Sequence, residues 1–138
     1  MRKKRKTPCS IAKGLDIFGD RWTLLVLRDI VFAGKNTFTA FTKSPENIAT
    51  NILSDRLELL QTEEIILKIG EGHAKYELTE KGKDLVPLLV EMIIWDALHD
   101  PQTSIDQKVL TEIQANKSKF TKDARSGKVS FQMLMKNQ

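Results

Sequence analysis

The chain has 138 residues, of which 41% are hydrophobic and 29% charged, a composition typical of one globular domain with tails. No apolar run approaches the ~20 residues that cross a bilayer, and no apolar signal segment follows the basic start, so we expect a cytoplasmic protein without a membrane partner. The net charge of +4 belongs to the ends, because residues 8–100 carry more acidic than basic side chains. Overall charge therefore does not indicate that the folded part binds nucleic acid.

The first elements are predicted from a basic run and a helical spacing. Residues 1–7 form a basic arm, which we expect to be disordered and either idle or in contact with phosphates. Ile11, Leu15 and Phe18 are spaced as on one face of a short helix. Gly19 ends that helix, and Asp20 is placed to cap the next one.

Residues 21–32 (RWTLLVLRDIVF) are apolar on nearly every side, which predicts a central, buried helix with Trp22 in the core. Residues 33–36 break this helix. Thr37 can then cap a short helix that ends near Ser44 and Pro45.

Residues 47–60 (NIATNILSDRLELL) predict a second helix of this unit, capped by Asn47. Ile48, Leu53, Leu57 and Leu60 fall at helical spacing, and short polar residues lie between them. A short helix, a proline turn and a helix with a polar start follow each other in the order of a helix-turn-helix. In such a motif the second helix enters the major groove of DNA.

Two β-favouring runs, residues 65–69 and 73–78, flank Gly70-Glu71-Gly72 and predict a hairpin. A hairpin directly after a helix-turn-helix forms a wing. Lys68, His73 and Lys75 place hydrogen-bond donors on it.

Residues 79–99 predict one long helix in which Pro87 introduces a bend or a restart. Between Leu85 and Leu98 nearly every residue is apolar, so part of this helix should contact a second subunit. After Pro101 we expect one further helix, marked by residues 105–113, and a loosely determined end.

Taken together, these features resemble the HxlR family of bacterial transcription regulators, relatives of the MarR-type winged helices. The resemblance runs from Cys9 to about His99. It includes residues 15–23 (LDIFGDRWT), where the family has L-D-x-I-G-G-K-W, and residues 24–30 as its L-L-x-L-R-x-L run. It continues through residues 38–41, 48, 53–57, 60, 76–82 and 88–95.

The resemblance implies a mainly α fold with a small β-hairpin wing, and a homodimer that binds inverted-repeat operator DNA, which we expect to be a repressor. It implies three parts: the arm 1–7, a DNA-binding and dimerisation domain 8–100, and a helical extension 101–138. Dimer contacts would come from the first and last family helices. The residues expected there are Ile11, Leu15, Phe18, Leu88, Leu89, Met92 and Trp95.

Two positions and the wing tip depart from the family pattern. Ala49 stands where the family often has Ser, and Glu64 stands where it often has Gly, although Glu tolerates the left-handed turn expected there poorly. The wing has Gly70-Glu71-Gly72 in place of a proline-rich tip, and Glu71 would repel phosphate.

The candidate DNA-binding residues lie on the helix-turn-helix and the wing. They are Lys35, Thr37, Lys43, Ala49, Thr50, Asn51, Ser54, Arg56, Lys68, His73 and Lys75. Asn51 can bond bidentately to adenine, worth roughly 1–3 kcal/mol of discrimination, or it can simply be solvated. Arg56 can contact phosphate or guanine, or it can form a salt bridge with Asp55, Glu58 or a neighbouring helix.

Cys9 lies in a region where some family members sense oxidants or electrophiles, which requires an exposed thiol of lowered pKa. The alternative is a small apolar residue in the dimer interface. The two histidines lie in no metal or catalytic motif, so we predict no enzyme, metal or cofactor. The alternative function is a winged helix that binds protein, whose binding would not weaken steeply with salt.

Overall fold

The computed structural model describes residues 7–136. Most of the predicted basic arm, residues 1–6, and the last two residues lie outside the described part. Within it the elements follow each other as α1 (Ser10–Phe18), α2 (Arg21–Phe32), α3 (Phe38–Thr42), α4 (Thr50–Thr62), β1 (Ile66–Ile69), β2 (Lys75–Leu78), α5 (Glu80–Lys83), α6 (Val86–His99), α7 (Gln107–Ala115), α8 (Lys117–Arg125) and α9 (Phe131–Leu134). The predicted mainly helical, winged helix-turn-helix fold is confirmed.

Helix α2 is the centre of the fold, as its apolar sequence predicts. Val26, Leu27 and Phe32 are buried in the core. The predicted cap is confirmed, because the Asp20 carboxylate accepts the backbone N–H groups of Trp22 and Thr23 at 2.9 and 3.0 Å. The prediction for Trp22 is wrong: this side chain is only half-buried and lies beneath the guanidinium of Arg21, 5.4 Å from the ring centroid.

The helix-turn-helix consists of α3 and α4. Thr37 caps α3 as predicted, its hydroxyl accepting the Ala40 N–H at 3.2 Å. The expected Asn47 cap of α4 is wrong. The helix begins at Thr50 after Ala49, which makes no side-chain cap bond. Asn47 instead lies in the preceding turn with a φ of 55°, a left-handed conformation that asparagine adopts more readily than most residues.

Helix α4 ends in the expected left-handed turn, although the residue in the left-handed conformation is the glutamate Glu64. Glu64 has a φ of 59°. Its N–H donates to the Gln61 carbonyl at 3.0 Å, and the Ile65 N–H donates to the Leu60 carbonyl at 2.8 Å. This pair of bonds is a Schellman motif, and it satisfies two carbonyls at the helix end. The backbone pattern therefore holds the turn despite the unfavourable residue.

The predicted hairpin is confirmed. β1 and β2 pair antiparallel, with Lys68 opposite Tyr76, and the Tyr76 N–H donates to the Asn36 carbonyl at 2.8 Å. Gly82 of α5 packs against the base of β1. A Cβ at this position would lie 2.1 Å from the Ile65 carbonyl oxygen, so only glycine fits this close approach.

The predicted helix over residues 79–99 is two helices, α5 and α6, and Pro87 lies in the first turn of α6. Of the two expected effects of Pro87, a bend or a restart, the restart is confirmed. Proline suits a first turn because the N–H that it lacks has no partner there.

The C-terminal extension is more ordered than expected. It forms α7, α8 and α9, and its Leu110, Ile113, Val129 and Leu134 are buried in the same core as the preceding helices. The ring centroid of Phe131 lies 5.6 Å from that of Phe32 in α2. The chain end therefore folds back against the centre of the winged helix.

Candidate nucleic-acid interface

The start of α4 presents exposed polar side chains. Leu53, Leu57 and Leu60 are buried and fix which face of α4 points inward. Thr50, Asn51 and Ser54 are exposed on the remaining surface. Within residues 7–136, their side chains form no internal hydrogen bond. These groups are free to bond to an external partner.

Arg56 is used inside the protein, which decides between the alternatives for this residue. Its Nε lies 2.9 Å from Asp20 Oδ2 at the start of α2, and its Nη1 lies 2.5 Å from Asp55 Oδ2. The Nε–H does not point at an acceptor, so the contact with Asp20 is an ion pair without a hydrogen bond from that nitrogen. Arg56 therefore fixes α4 against α2 and is a positioning residue.

Asp20 both caps α2 and pairs with Arg56 of α4. Burial tends to raise the pKa of its carboxyl, but the bonds from Thr23 and Trp22, with the charge of Arg56, outweigh burial and lower that pKa. The ionised carboxylate thus caps α2 and pairs with α4 at once.

A second ion pair holds the turn before α4. Arg28 of α2 donates from both terminal nitrogens to Glu46, each at 2.7 Å, and it also bonds to Asp29 at 2.9 and 3.0 Å. The hydrogen bonds that Arg28 donates to Glu46 lower the pKa of the Glu46 carboxyl to about 2. The bidentate geometry makes this a strong contact between α2 and the turn.

Sequence reasoning missed the Arg28–Glu46 pair. The available signal was a pair of adjacent charged residues, Arg28 and Asp29, within the apolar part of α2. Buried charges need partners, and Asp29 is only 4% exposed.

Two predicted phosphate contacts are engaged elsewhere. The Lys35 ammonium donates to the Ser44 hydroxyl at 2.7 Å, and that hydroxyl donates to Asp29. The Thr37 hydroxyl caps α3. Lys35 and Thr37 therefore each have an internal partner, and their contact with phosphate stays a prediction. Lys43 is exposed.

The wing presents its predicted donors to the outside. Lys68, His73 and Lys75 are all exposed. Leu67 and Ile69, on the opposite face of β1 from Lys68, are also exposed. The wing therefore has a basic component and an apolar component.

The predicted dimer residues divide into exposed and buried ones. Ile11 and Trp95 are 76% and 67% exposed, and Leu15 and Met92 are also exposed. Phe18 and Leu88 are half-buried. Leu89 is a correction: it is 6% exposed and belongs to the core of its own chain, because it lies on the face of α6 that packs inward.

Cys9 is a free, exposed cysteine immediately before α1. Exposure meets the first requirement for a reactive thiol. The basic residues 2–6 that precede it in the sequence lie outside the described residues.

Residues 7–136 contain no group of three or more potential metal ligands among His, Cys, Asp and Glu. Over the same residues, no helix has the length and apolar character needed to span a bilayer.

A sequence model of the HxlR-like helix-turn-helix family matches residues 17–104. The chain belongs to this family. The predicted family is thereby confirmed, and HxlR-like proteins are DNA-binding transcriptional regulators, which are generally not enzymes.

Two relatives are similar in sequence to this chain. The HTH-type transcriptional regulator YvaP of Bacillus subtilis (strain 168) is 32% identical over 87 residues, which cover 60% of this chain and 80% of YvaP. The HTH-type regulator Rv3095 of Mycobacterium tuberculosis (strain H37Rv) is 33% identical over 91 residues, covering 62% of this chain and only 56% of Rv3095. The match thus spans little more than half of that longer relative.

Two solved structures have a fold similar to that of this chain. The structure of PA1607 superposes with a TM-score of 0.64 at 33% identity, covering 74% of this chain and 77% of PA1607. Quinone-bound YodB from Bacillus subtilis superposes with a TM-score of 0.56 at 26% identity, covering 65% of this chain and 98% of YodB.

Proposed function

We propose that this HxlR-like protein represses transcription in the cytoplasm by binding inverted-repeat operator DNA as a homodimer. The observation that carries the proposal is the polar start of α4, where Thr50, Asn51 and Ser54 are exposed and have no side-chain hydrogen bond to any other described residue. Hydrogen-bonding groups on the first turns of the second helix are what a helix-turn-helix uses to contact base edges.

The proposed groove contacts come from residues 49–54. The Asn51 amide bonds bidentately to adenine, and the Ala49 methyl can contact a thymine methyl group. Thr50 and Ser54 donate to base edges or phosphates. Lys43, exposed just before the turn, contacts the backbone and sets the register.

The wing contributes backbone or minor-groove contacts through Lys68, His73 and Lys75. We leave Lys35, Thr37 and Arg56 out of the contact set, because each has an internal partner. Their role in the proposal is to hold α3 and α4 in place.

The proposed dimer forms through α1 and α6. Ile11 and Leu15 lie one turn apart on α1 and are exposed, and α1 has no buried residue. Exposed Met92 and Trp95 supply the corresponding surface on α6, which Phe18 and Leu88 would extend. A two-fold axis through this surface would place the half-sites about 10 bp apart or a multiple of it. In this proposal residues 8–100 bind DNA and dimerise, and residues 101–138 support them.

The test is selection of bound duplexes from a random pool, run in parallel for wild type, Asn51→Ala and Thr62→Ala. Thr62 is the matched control, an exposed polar residue at the far end of α4. We expect an inverted repeat with one preferred base pair per half-site that Asn51→Ala relaxes and Thr62→Ala preserves. Recovery of no motif at low salt would refute the operator proposal.

The dimer has its own test. Trp95→Glu should convert the protein to a monomer in sedimentation experiments, because it places a charge in an apolar contact. Met133→Glu introduces the same charge at an exposed apolar residue of the extension and should leave the dimer intact. Equal behaviour of the two variants would contradict an α1–α6 interface.

A protein-binding module is the second candidate, and exposed charge favours it. Asp55 and Glu58 on α4 and Glu71 on the wing are all exposed and would repel phosphate. Leu67 and Ile69 add exposed apolar area. Binding that is insensitive to salt would indicate this function, since release of counterions makes duplex binding weaken steeply with salt.

A further inference from the structure

The charge of the chain is divided unequally between the winged helix and the C-terminal extension. Residues 8–100, which contain the helix-turn-helix and the wing, carry ten basic and fifteen acidic side chains. Residues 101–138 carry seven basic and three acidic ones. The family match ends at residue 104, and all seven of those basic residues lie beyond it. Phosphates repel an acidic DNA-binding part, and a basic extension beside it offsets that repulsion.

Helix α8 of the extension is held by an ion pair near each of its ends. At its start, Lys117 pairs with Glu91 of α6. At its end, the Arg125 guanidinium donates to the Lys83 carbonyl and to the Asp84 carboxylate, each at 2.8 Å. Both acceptors lie at the C-terminal end of α5. Lys117 and Arg125 therefore position α8 against the winged helix.

Between these two ion pairs, α8 exposes two further lysines. Ala124 is buried and fixes the face of α8 that packs inward. Lys119 and Lys122 are exposed, and they have no side-chain hydrogen bond or ion pair to any other described residue. Side chains three positions apart in a helix lie on the same side of it. We call the surface formed by Lys119 and Lys122 the basic face of α8.

The C-terminal end of α8 lies beside the wing and the loop before α3. A cleft of about 480 Å³ lies between them. Residues 124–127 line it on the side of the extension, and residues 34–36 and 76–78 line it on the side of the winged helix. The Lys122 carbonyl accepts the Ser126 N–H at 3.2 Å, so Lys122 lies one helical turn before the cleft. The basic face of α8 is therefore a neighbour of the wing.

We infer that the basic face of α8 binds the phosphate backbone of duplex DNA just outside the base pairs that the wing contacts. Lysine ammonium groups bind phosphates without reading the sequence, so the extension adds affinity without base preference. Because ion pairs already hold α8 in place, DNA binding need not order this helix, which lowers the entropy cost of the contact. The inference rests on the proposed function and deepens it, since it lengthens the DNA contact of the same winged helix.

The test compares two double variants that lose the same charge. Lys119→Gln with Lys122→Gln removes the basic face of α8, and Lys108→Gln with Lys136→Gln removes two exposed lysines elsewhere on the extension. The affinity for a duplex longer than the operator is measured over a range of salt concentrations. Each lost phosphate contact reduces the slope of log K against log salt by about 1. We expect a reduction of about 2 in the α8 variant and the wild-type slope in the control.

Hydroxyl-radical footprinting on the same duplex gives a second readout. We expect wild type to protect backbone positions outside the base pairs that the wing contacts. The α8 variant should lose protection at those positions only, and the control variant should keep the whole footprint. All four substituted lysines are exposed, so thermal melts of both variants should match that of wild type.

Two outcomes would overturn the inference. One is the wild-type slope and footprint in the α8 variant. The other is an equal reduction of the slope in both double variants, which would mean that DNA responds to the net charge of the extension and not to this face.

Failure of the proposed function gives a different result. If selection recovers no motif, the operator proposal fails, and the slopes measured on a duplex of random sequence still decide whether the basic face of α8 binds phosphate. If selection recovers a motif and the α8 variant keeps the wild-type slope, the operator proposal stands and the present inference fails.

Discussion

The exposed start of α4 and the layer beneath it use polar residues in opposite ways. On the outside, the side chains of Thr50, Asn51 and Ser54 have no hydrogen-bond partner within residues 7–136. Beneath and beside them, Arg56 pairs with Asp20 at the start of α2, and Arg28 and Lys35 bond to Glu46 and Ser44 in the turn before α4. The same motif therefore contains residues available to DNA and residues that position them.

The difference follows from burial. A half-buried charge without a partner costs free energy, so Arg28 and Arg56 are stable there only as members of ion pairs. Exposed hydroxyls and amides are solvated and bear no such cost. Burial thus separates the cationic side chains of this region: half-buried Arg56 is paired inside the protein, whereas Lys43 is exposed.

The largest effect should come from removing a buried partner. Arg28→Met leaves Asp29 and Glu46 without their guanidinium and should lower the free energy of unfolding by about 3 kcal/mol. Arg125→Met is the matched control, because Arg125 pairs with exposed Asp84, and exposed pairs contribute about 1 kcal/mol or less. Urea denaturation measures both. Equal losses would show that the Arg28 cluster is no stronger than a surface pair.

Acid should weaken the same cluster. The pKa of Glu46 falls from 4.5 to about 2 on folding, so its contribution to stability is complete above pH 4.5 and is lost as pH falls towards 2. The lowered pKa of Asp20 acts in the same direction. We expect the urea concentration at the unfolding midpoint of wild type to decrease as pH is lowered from 5 to 2, and to decrease less steeply in Glu46→Gln. A Glu71→Gln control, altered at the wing tip, should follow wild type; identical curves for all three would contradict the role of Glu46.

Arg56→Gln should separate positioning from base contact. Because Arg56 pairs with Asp20, we expect the free energy of unfolding to fall by about 1 kcal/mol. We also expect binding to weaken by the same factor for every duplex sequence. Asn51→Ala should show the reverse pattern, with unchanged stability and relaxed preference at one base pair. A change in base preference with Arg56→Gln would return this residue to the contact set.

The smallest effect should be at the wing. Lys68→Gln removes one proposed phosphate contact and should reduce the slope of log K against log salt by about 1, with base preference unchanged. Lys108→Gln, an exposed lysine on α7, is the control and should leave the slope unchanged. A wing that touches no DNA would give the wild-type slope in both variants.

Local signals in the sequence were sufficient for most of the fold. Asp20 and Thr37 were recognised as caps because an oxygen-bearing side chain before an apolar helix has few other roles. The hairpin followed from two β-favouring runs around Gly70 and Gly72, and the ordered motifs identified the family. Each of these features depends on residues close together in the chain.

The C-terminal extension shows where local signals fail. Helix α9 spans only Phe131–Leu134, which is too short to establish a helical period. Its position depends on the contact between Phe131 and Phe32, ninety-nine positions away in the chain. Long-range packing of this kind leaves no pattern in the local sequence.

The sequence by itself determined the helix-turn-helix, the wing, the family and the polar surface of α4, because periodicity and capping are local. Only the tertiary structure decided that Arg56 and Lys35 are engaged internally, that Leu89 belongs to the core, and that Arg28 holds Glu46. Each of those outcomes depends on which groups are brought together across the fold. A half-buried charge is stable only beside a partner of opposite charge or a hydrogen-bonding group. The sequence contains many possible partners, but it does not show which of them lie close together in the fold.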